Sequence, residues 1–164
     1  MKQLMITAVI LVGTAVAAFA SNGKTSPILQ SKSISLTQNF SKVLIGENLN
    51  VVFTNDETNT ISLTGTERFI DDILISNQNG TLSITTTKHV SRPGIIYISI
   101  KSINSLILKD EASASSKGFL NCINLKVEMG SGSHANLKTK GKIEIIPLEG
   151  TQLDFEKFQS ISEQ

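Results

Sequence analysis

The stretch Leu125-Lys-Val-Glu-Met-Gly-Ser-Gly-Ser-His134 gives the clearest indication of the fold, because alternating apolar and polar residues run directly into a segment of glycines and serines. Alternation with a period of two is typical of a β-strand that is buried on one face. Related units flank it at Ser105–Ala114 and Ile143–Leu153, so a short strand, a small-residue corner and a second short strand recur about every 18 to 20 residues. Such a unit is too short to be stable alone, and its recurrence predicts stacked coils of a β-solenoid or β-roll.

The rest of the chain also alternates with a period of two and shows almost no helical periodicity. A helix of one or two turns is predicted only at Glu67–Asp72. Asn79-Gly80 predicts a tight hairpin, and Pro93-Gly94 predicts a reversal of the chain. The predicted strands are Ser31–Thr37, Ser41–Ile45, Asn48–Thr54, Thr60–Thr64, Asp72–Ser76, Thr81–Thr87, Ile95–Lys101, Ser105–Lys109, Asn121–Met129, Ala135–Lys138, Lys142–Ile146 and Gln152–Phe155.

The stack should have one continuous apolar core that needs no cofactor. Ile123, Leu125 and Val127 are expected to point inward, each contributing on the order of 1.5 to 3 kcal/mol. The chain contains a single cysteine, Cys122, in an apolar neighbourhood, and we expect its thiol to be buried.

The N-terminus has the features of a cleavable secretory signal over residues 1–20: one early lysine, an apolar run and a small-residue ending at Ala18-Phe19-Ala20. An uncleaved membrane anchor is the competing interpretation, and after cleavage no transmembrane span is expected. The predicted organisation is then a flexible spacer at 21–30, one all-β domain at 31–158 and a polar tail at 159–164. The protein is therefore expected to be exported, either to the periplasm or to the cell surface and medium.

The balance of charges argues against an electrostatic partner. The whole chain has 15 basic and 14 acidic side chains, whereas non-specific binding to nucleic acid depends on clustered positive charge. The absence of tryptophan and the single tyrosine, Tyr97, also weaken proposals of base or sugar stacking.

No set of side chains forms a convincing catalytic or metal site in the sequence. His89 and His134 are the only histidines and have no ligands nearby at zinc spacing. The acidic pairs, the glycine-rich corner and the alternating lysines are better explained as solvated faces or turns than as a catalytic pair, a phosphate loop or a basic stripe; they are Asp71-Asp72, Asp110-Glu111 beside Lys109, Gly130–Ser133, and Lys138, Lys140 and Lys142. We predict no catalytic residues, no metal and no cofactor.

Five segments together resemble a known bacterial exported family, the putative auto-transporter adhesin head GIN domain: Phe40–Ile45, Leu49–Phe53, Ile61–Gly65, Asn79–Ile84 and Leu125–Gly132. The resemblance covers nearly all of the chain after the signal. It implies an all-β fold, a right-handed single-stranded β-helix or β-roll-like stack with hairpins in the N-terminal half. It assigns no catalytic or ligand-binding residue, since this is a domain of unknown function.

The leading functional hypothesis is a non-enzymatic exported binding or adhesion module of the cell envelope, with an unknown envelope or extracellular macromolecule as its partner. A structural envelope protein that self-associates through an exposed strand or end coil is the first alternative, with Phe155–Phe158 as a candidate cap. A carbohydrate-active β-helix enzyme is the second, and it would require two of Lys109, Asp110, Glu111 and His134 to converge in a groove.

Overall fold

A computed structural model describes residues 28–56, 58–87 and 94–148, and in addition the backbone of residues 158–162. This part of the chain is all-β with one short helix. The elements are β1 (Gln30–Ser35), β2 (Lys42–Ile45), β3 (Asn50–Thr54), β4 (Thr60–Gly65), α1 (Glu67–Asp72), β5 (Ile73–Gln78), β6 (Thr81–Thr86), β7 (Ile95–Ser99), β8 (Ser105–Leu108), β9 (Ser113–Leu120), β10 (Asn124–Met129), β11 (His134–Thr139), β12 (Lys142–Pro147) and β13 (Phe158–Ser162).

The strands form two mixed sheets. One sheet has the order β1-β4-β7-β3-β9-β11-β13, and the other has the order β12-β10-β8-β2-β6-β5. Consecutive strands such as β8 and β9, or β10 and β11, lie in different sheets, and each pairs parallel with the corresponding strand of the next unit. The chain therefore crosses from one sheet to the other and back once in each repeat.

The stacking order differs from the chain order. The unit formed by β2 and β3 lies between the unit formed by β6 and β7 and the unit formed by β8 and β9. The N-terminal half, predicted to be rich in hairpins, thus also supplies two of the stacked units. The predicted hairpin at Asn79-Gly80 is confirmed: β5 and β6 pair antiparallel, and both turn residues have positive φ, 51° and 72°.

The corners of successive units share one backbone design. Asn48, Glu111 and Gly132 occupy corresponding positions after β2, β8 and β10, and all three have positive φ, between 56° and 67°. Backbone hydrogen bonds join these corners: Asn48 N–H donates to Asp110 O (3.0 Å) and Glu111 N–H donates to Ser131 O (2.8 Å). The glycine and serine corner that the sequence singled out is therefore a link in a hydrogen-bonded stack.

The core lies between the sheets and is filled by inward-facing isoleucine, leucine and valine side chains. Leu125 and Val127 are buried as predicted, at 1% and 0% exposure, and Cys122 is buried too. The prediction for Ile123 is wrong, because its side chain is 84% exposed. β10 begins only at Asn124, so Ile123 belongs to the corner and the alternation of β10 does not extend to it.

The N-terminal end of the stack is built differently. β4 pairs antiparallel with β7 and β1, and α1 then carries the chain across to β5 in the other sheet. α1 covers the predicted helical segment, and its N-cap Thr66 accepts a hydrogen bond from Phe69 N–H at 3.3 Å. Phe69 and Ile70 are buried and close one corner of this end.

Two strands were not foreseen. β9 has the sequence SASSKGFL, in which small and polar residues hide the alternation, and its pairing with β11 shifts register between Asn136 and Lys138. β13 extends into the segment predicted to be a polar tail. The predicted reversal at Pro93 and the predicted strand at 152–155 lie outside the described residues.

Candidate ligand groove

A groove opens at the N-terminal end of the stack, between the two edge strands β1 and β5. These strands belong to different sheets, and each has a neighbour on one side only within the described part of the chain. Residues on both faces of the two strands line it, including the outward-facing Ser35, Leu74 and Ser76, and Leu63 and Ile70 also contribute. Its volume is about 450 Å³, within the range of roughly 300–1,000 Å³ that small-molecule sites occupy.

The middle of the groove is apolar. Ile34 and Leu36 come from β1 and the residue following it, whereas Ile73 and Ile75 come from β5. Ile34, Leu36 and Ile75 are only partly buried although they pack against the core. The apolar interior of the stack is therefore accessible at this end.

One end of the groove carries a positive charge. Lys32 is the cross-strand partner of Leu63, a core residue with 1% exposure, so both side chains lie on the inward face of their sheet. Lys32 lines the groove and makes no ion pair with any described residue. It lies toward the end where α1 leads into β5, since Gln30, two residues before it, pairs with Gly65 at the end of β4.

The opposite end carries a hydrogen-bond acceptor. Asn77, on the inward phase of β5 with Ile73 and Ile75, donates from Nδ2 to the carbonyl oxygen of Gln38 at 2.7 Å. That bond fixes the orientation of the amide, because a flipped group would bring two oxygens together. Asn77 Oδ1 is buried and accepts no hydrogen bond from the described protein groups. Asn77 lines the groove, but this oxygen has almost no solvent-accessible surface, so a ligand that brings a donor reaches it only after a shift of the amide side chain.

The candidates for an enzyme site lie elsewhere, at the corner between β8 and β9 and in the next unit. Lys109, Asp110, Glu111 and His134 are all exposed, and none of them lines the groove. Asp110 Oδ1 accepts a hydrogen bond from Ser131 N–H at 2.7 Å, so this carboxylate links two coils. Lys109, Asp110 and Glu111 share one corner, where Asp110 has a structural role, whereas His134 begins β11 in the next unit.

The remaining candidates are dispersed. Asp71 and Asp72 end α1, within the segment predicted to be helical, and Asp71 is exposed. Lys138 and Lys142 lie in different sheets, so they do not form one stripe. His89 lies outside the described residues. Among the residues that are described, no three histidine, cysteine or acidic side chains are grouped so that they could hold a metal ion.

The sequence reasoning missed Lys32 and Asn77, although a signal was present. Both are polar residues on the apolar phase of an alternating strand: Lys32 precedes Ile34 by two residues, and Asn77 follows Ile75 by two. A polar side chain at such a position faces the core and needs a partner there. A polar residue where the alternation predicts an apolar one can be recognised in the sequence. The juxtaposition of β1 and β5 cannot.

The architecture defines an all-β protein in which stacked units alternate between two mixed sheets. The sequence model of the family described as putative auto-transporter adhesin, head GIN domain, matches residues 39–158, and the chain belongs to this family. A search of curated proteins gave no match. In the described part of the chain, no helix has the length and apolar character to cross a membrane.

Three solved structures are similar in fold. A putative adhesin from Bacteroides fragilis has a TM-score of 0.57 at 13% identity, with 82% of this chain and 74% of that one covered. A putative adhesin from Parabacteroides distasonis has a TM-score of 0.54 at 14% identity, covering 74% and 57%. A putative lipid binding protein from the same species has a TM-score of 0.53 at 13% identity, covering 73% and 59%. The chain thus spans less than two thirds of the length of the two Parabacteroides proteins.

Proposed function

We propose that this protein is an exported, non-enzymatic binding module of the bacterial cell envelope, and that its ligand site is the groove between β1 and β5. The observation that carries the proposal is that one groove combines half-buried apolar side chains of the core with Asn77 Oδ1, a buried oxygen that has no hydrogen-bond partner in the described part of the chain. Stacked sheets normally close such an end, because exposed apolar surface costs free energy.

The family and the fold support the wider proposal. The names of the family and of two similar structures refer to adhesion, and another similar structure is named for lipid binding. Binding without catalysis fits a groove whose inward-facing lining residues are mostly apolar and to which none of the described acidic or histidine candidates contributes. The N-terminal signal predicted at 1–20 supports export, and we propose a single domain over 31–158.

We also propose that the stacked units form the right-handed single-stranded β-helix or β-roll implied by the family resemblance. The parallel pairing of β8, β10 and β12 in one sheet, and of β9, β11 and β13 in the other, supports this arrangement. Paired residues lie 21 positions apart between β8 and β10 (Ser105 and Lys126) and 18 apart between β10 and β12 (Asn124 and Lys142).

The first experiment asks whether the groove holds a molecule from the cell. The protein would be purified from cells that produce the full chain, extracted with organic solvent, and the extract analysed by mass spectrometry. We expect a compound that is present with the wild type and absent from Ile75→Trp, which fills the groove. Leu44→Trp, a half-buried residue of β2 that does not line the groove, serves as the matched control. Identical extracts from all three proteins would contradict a groove ligand.

The second experiment tests location, through protease treatment of intact cells that produce a tagged protein. Loss of the tag from intact cells would place the domain on the outer surface and support adhesion. Protection until the outer membrane is opened would contradict adhesion and leave a periplasmic binding role. A periplasmic marker and lysed cells are the controls.

Self-association is the second candidate function, and it rests on the opposite end of the stack. Ile143, Ile145 and Ile146 of β12 are only partly buried, and β12 is the edge of its sheet within the described residues. An edge strand with accessible apolar side chains favours pairing with another molecule. Sedimentation velocity tests this: dimer formation that rises with concentration and is abolished by Ile146→Lys supports it, whereas a monomer at all concentrations excludes it.

A further inference from the structure

The chemistry at the two ends of the groove restricts what it can bind. Lys32 contributes a cation at one end, Asn77 contributes an acceptor at the other, and Ile34, Leu36 and Ile75 lie between them. From Lys32 to Leu36 the strand extends about 13 Å at roughly 3.3 Å per residue. A compact polar molecule would leave the apolar middle unfilled, whereas a slender apolar chain with polar ends would satisfy all three regions.

We propose that the groove binds a single-chain anionic amphiphile, with its carboxylate or phosphate at Lys32, its alkyl chain against Ile34 and Ile75, and a hydroxyl or other donor at Asn77. The inference rests on the proposed function, since it specifies the ligand of the same groove. The anion follows from the absence of an acidic partner for Lys32 among the described residues. The donor follows from the orientation of the Asn77 amide, whose nitrogen is already engaged by Gln38 O.

Lys32 also argues against an extended peptide as the occupant. A polypeptide that added a strand to β1 would bring its own inward side chains close to this charge, and inward-pointing lysines on edge strands discourage such pairing. A second copy of this chain paired through β1 would bring two Lys32 side chains toward one groove. An anionic head group, in contrast, turns this charge into a source of affinity.

Binding would be measured by isothermal titration with three probes of equal chain length: dodecanoate, dodecyl phosphate and dodecanol. We expect both anions to bind the wild type at least about tenfold more tightly than the alcohol, the difference that one charge-assisted hydrogen bond provides. Acetate and inorganic phosphate test the head group alone, and we expect no binding of either. Binding of inorganic phosphate as tight as that of dodecyl phosphate would overturn the proposal in favour of a simple anion site.

Variants assign the two polar ends. Lys32→Met roughly keeps the length of the side chain and removes its charge. It should weaken the binding of the two anions about tenfold and leave the affinity for dodecanol unchanged. Lys42→Met, at an exposed position on β2, is the matched control and should change neither the affinity for the anions nor the affinity for dodecanol. ω-Hydroxydodecanoate should bind the wild type more tightly than dodecanoate, and Asn77→Leu should abolish that difference while the unmodified chain still binds.

The outcomes separate this inference from the proposed function. Equal affinity for dodecanol and dodecanoate, or wild-type affinity in Lys32→Met, would overturn the anionic amphiphile. If a compound is still present in the extract of the wild type and absent from that of Ile75→Trp, the groove remains the binding site for a different ligand. Failure of all probes together with identical extracts would overturn both. Circular dichroism and thermal unfolding of each variant confirm that it is folded.

Discussion

The stacked corner region and the N-terminal end of this protein use the same two sheets in opposite ways. Around β8 to β11, parallel strands continue from unit to unit, and each corner donates hydrogen bonds to the next. At the N-terminal end, β1 pairs antiparallel with β4 and β5 pairs antiparallel with β6, and the two sheet edges leave a groove in which Asn77 Oδ1 has no partner among the described residues. The repeat thus satisfies its own backbone hydrogen bonds and buries its own core, whereas the irregular end leaves half-buried apolar side chains and the charge of Lys32 accessible to a ligand.

The largest effect is expected from a charge placed in the repeat. Val127 has 0% exposure, so Val127→Asp would bury an unpaired carboxylate at a cost of at least about 4 kcal/mol. We expect loss of the cooperative transition in thermal unfolding followed by circular dichroism. Asn124→Asp introduces the same charge at an exposed position of the same strand and should unfold like the wild type. A transition within a few degrees of the wild type for Val127→Asp would contradict the core assignment.

One glycine-to-alanine change made in each region compares their packing directly. At Gly141 a Cβ atom would collide with the backbone carbonyl oxygens of Cys122 and Ile123, but at Gly65 it would meet the Phe69 ring at 2.6 Å. The backbone at Gly141 is held by neighbouring coils and can move away from an added methyl group less easily than the Phe69 ring at the end of the stack. We expect Gly141→Ala to cost about 3 kcal/mol and Gly65→Ala about half as much.

Denaturant titration of the two glycine variants and the wild type measures that difference in the free energy of unfolding. Equal losses would mean that the open end is packed as rigidly as the repeat. A larger loss for Gly65→Ala would reverse the comparison.

A smaller loss of stability is expected on removal of the Thr139 hydroxyl, which lies in the same corner as Gly141. Thr139 is 1% exposed; its Oγ1 accepts from Gly141 N–H at 3.0 Å and lies 2.9 Å from Cys122 Sγ. Thr139→Val would leave that amide without its acceptor, and we expect a loss of about 1–2 kcal/mol in the same titration. Thr64→Val on the outer face of β4 is the control, and a similar loss there would show that the buried network has no special role.

The smallest effect is a gain in stability. Glu111 has φ 58°, in the left-handed region where a residue with a Cβ atom is strained, and the corresponding corner residue Gly132 has φ 67°. Glu111→Gly should therefore stabilise the protein by about 0.5–1 kcal/mol. Lys109→Gly, in the same corner but without positive φ, should not stabilise it. A destabilised Glu111→Gly would mean that the glutamate side chain has a role in the stack.

Much of the repeat can be predicted from the sequence, because each unit has its own alternating strand and its own turn residues. Alternation placed Leu125 and Val127 in the core, Asn79-Gly80 specified the hairpin, and Glu67–Asp72 was predicted as the helix. The failures have physical causes. Ile123 is apolar but lies in a corner, where the period of two no longer applies. β9 is hidden in the sequence because its buried positions are only the small Ala114 and, six residues later, Leu120.

Most strands, the Asn79-Gly80 hairpin and the family resemblance follow from the sequence alone, since they depend on local periodicity and on residues that tolerate positive φ. Two features are seen only in the folded protein: the unit of β2 and β3 lies between two later units, and β1 and β5 face each other across a groove. The reason is that pairing between strands distant in sequence depends on the whole fold, whereas alternation within a strand is local. Lys32 and Asn77 can be recognised in the sequence as polar residues at positions where the alternation predicts apolar ones. They become the two ends of one site only because β1 and β5 lie next to each other in the fold.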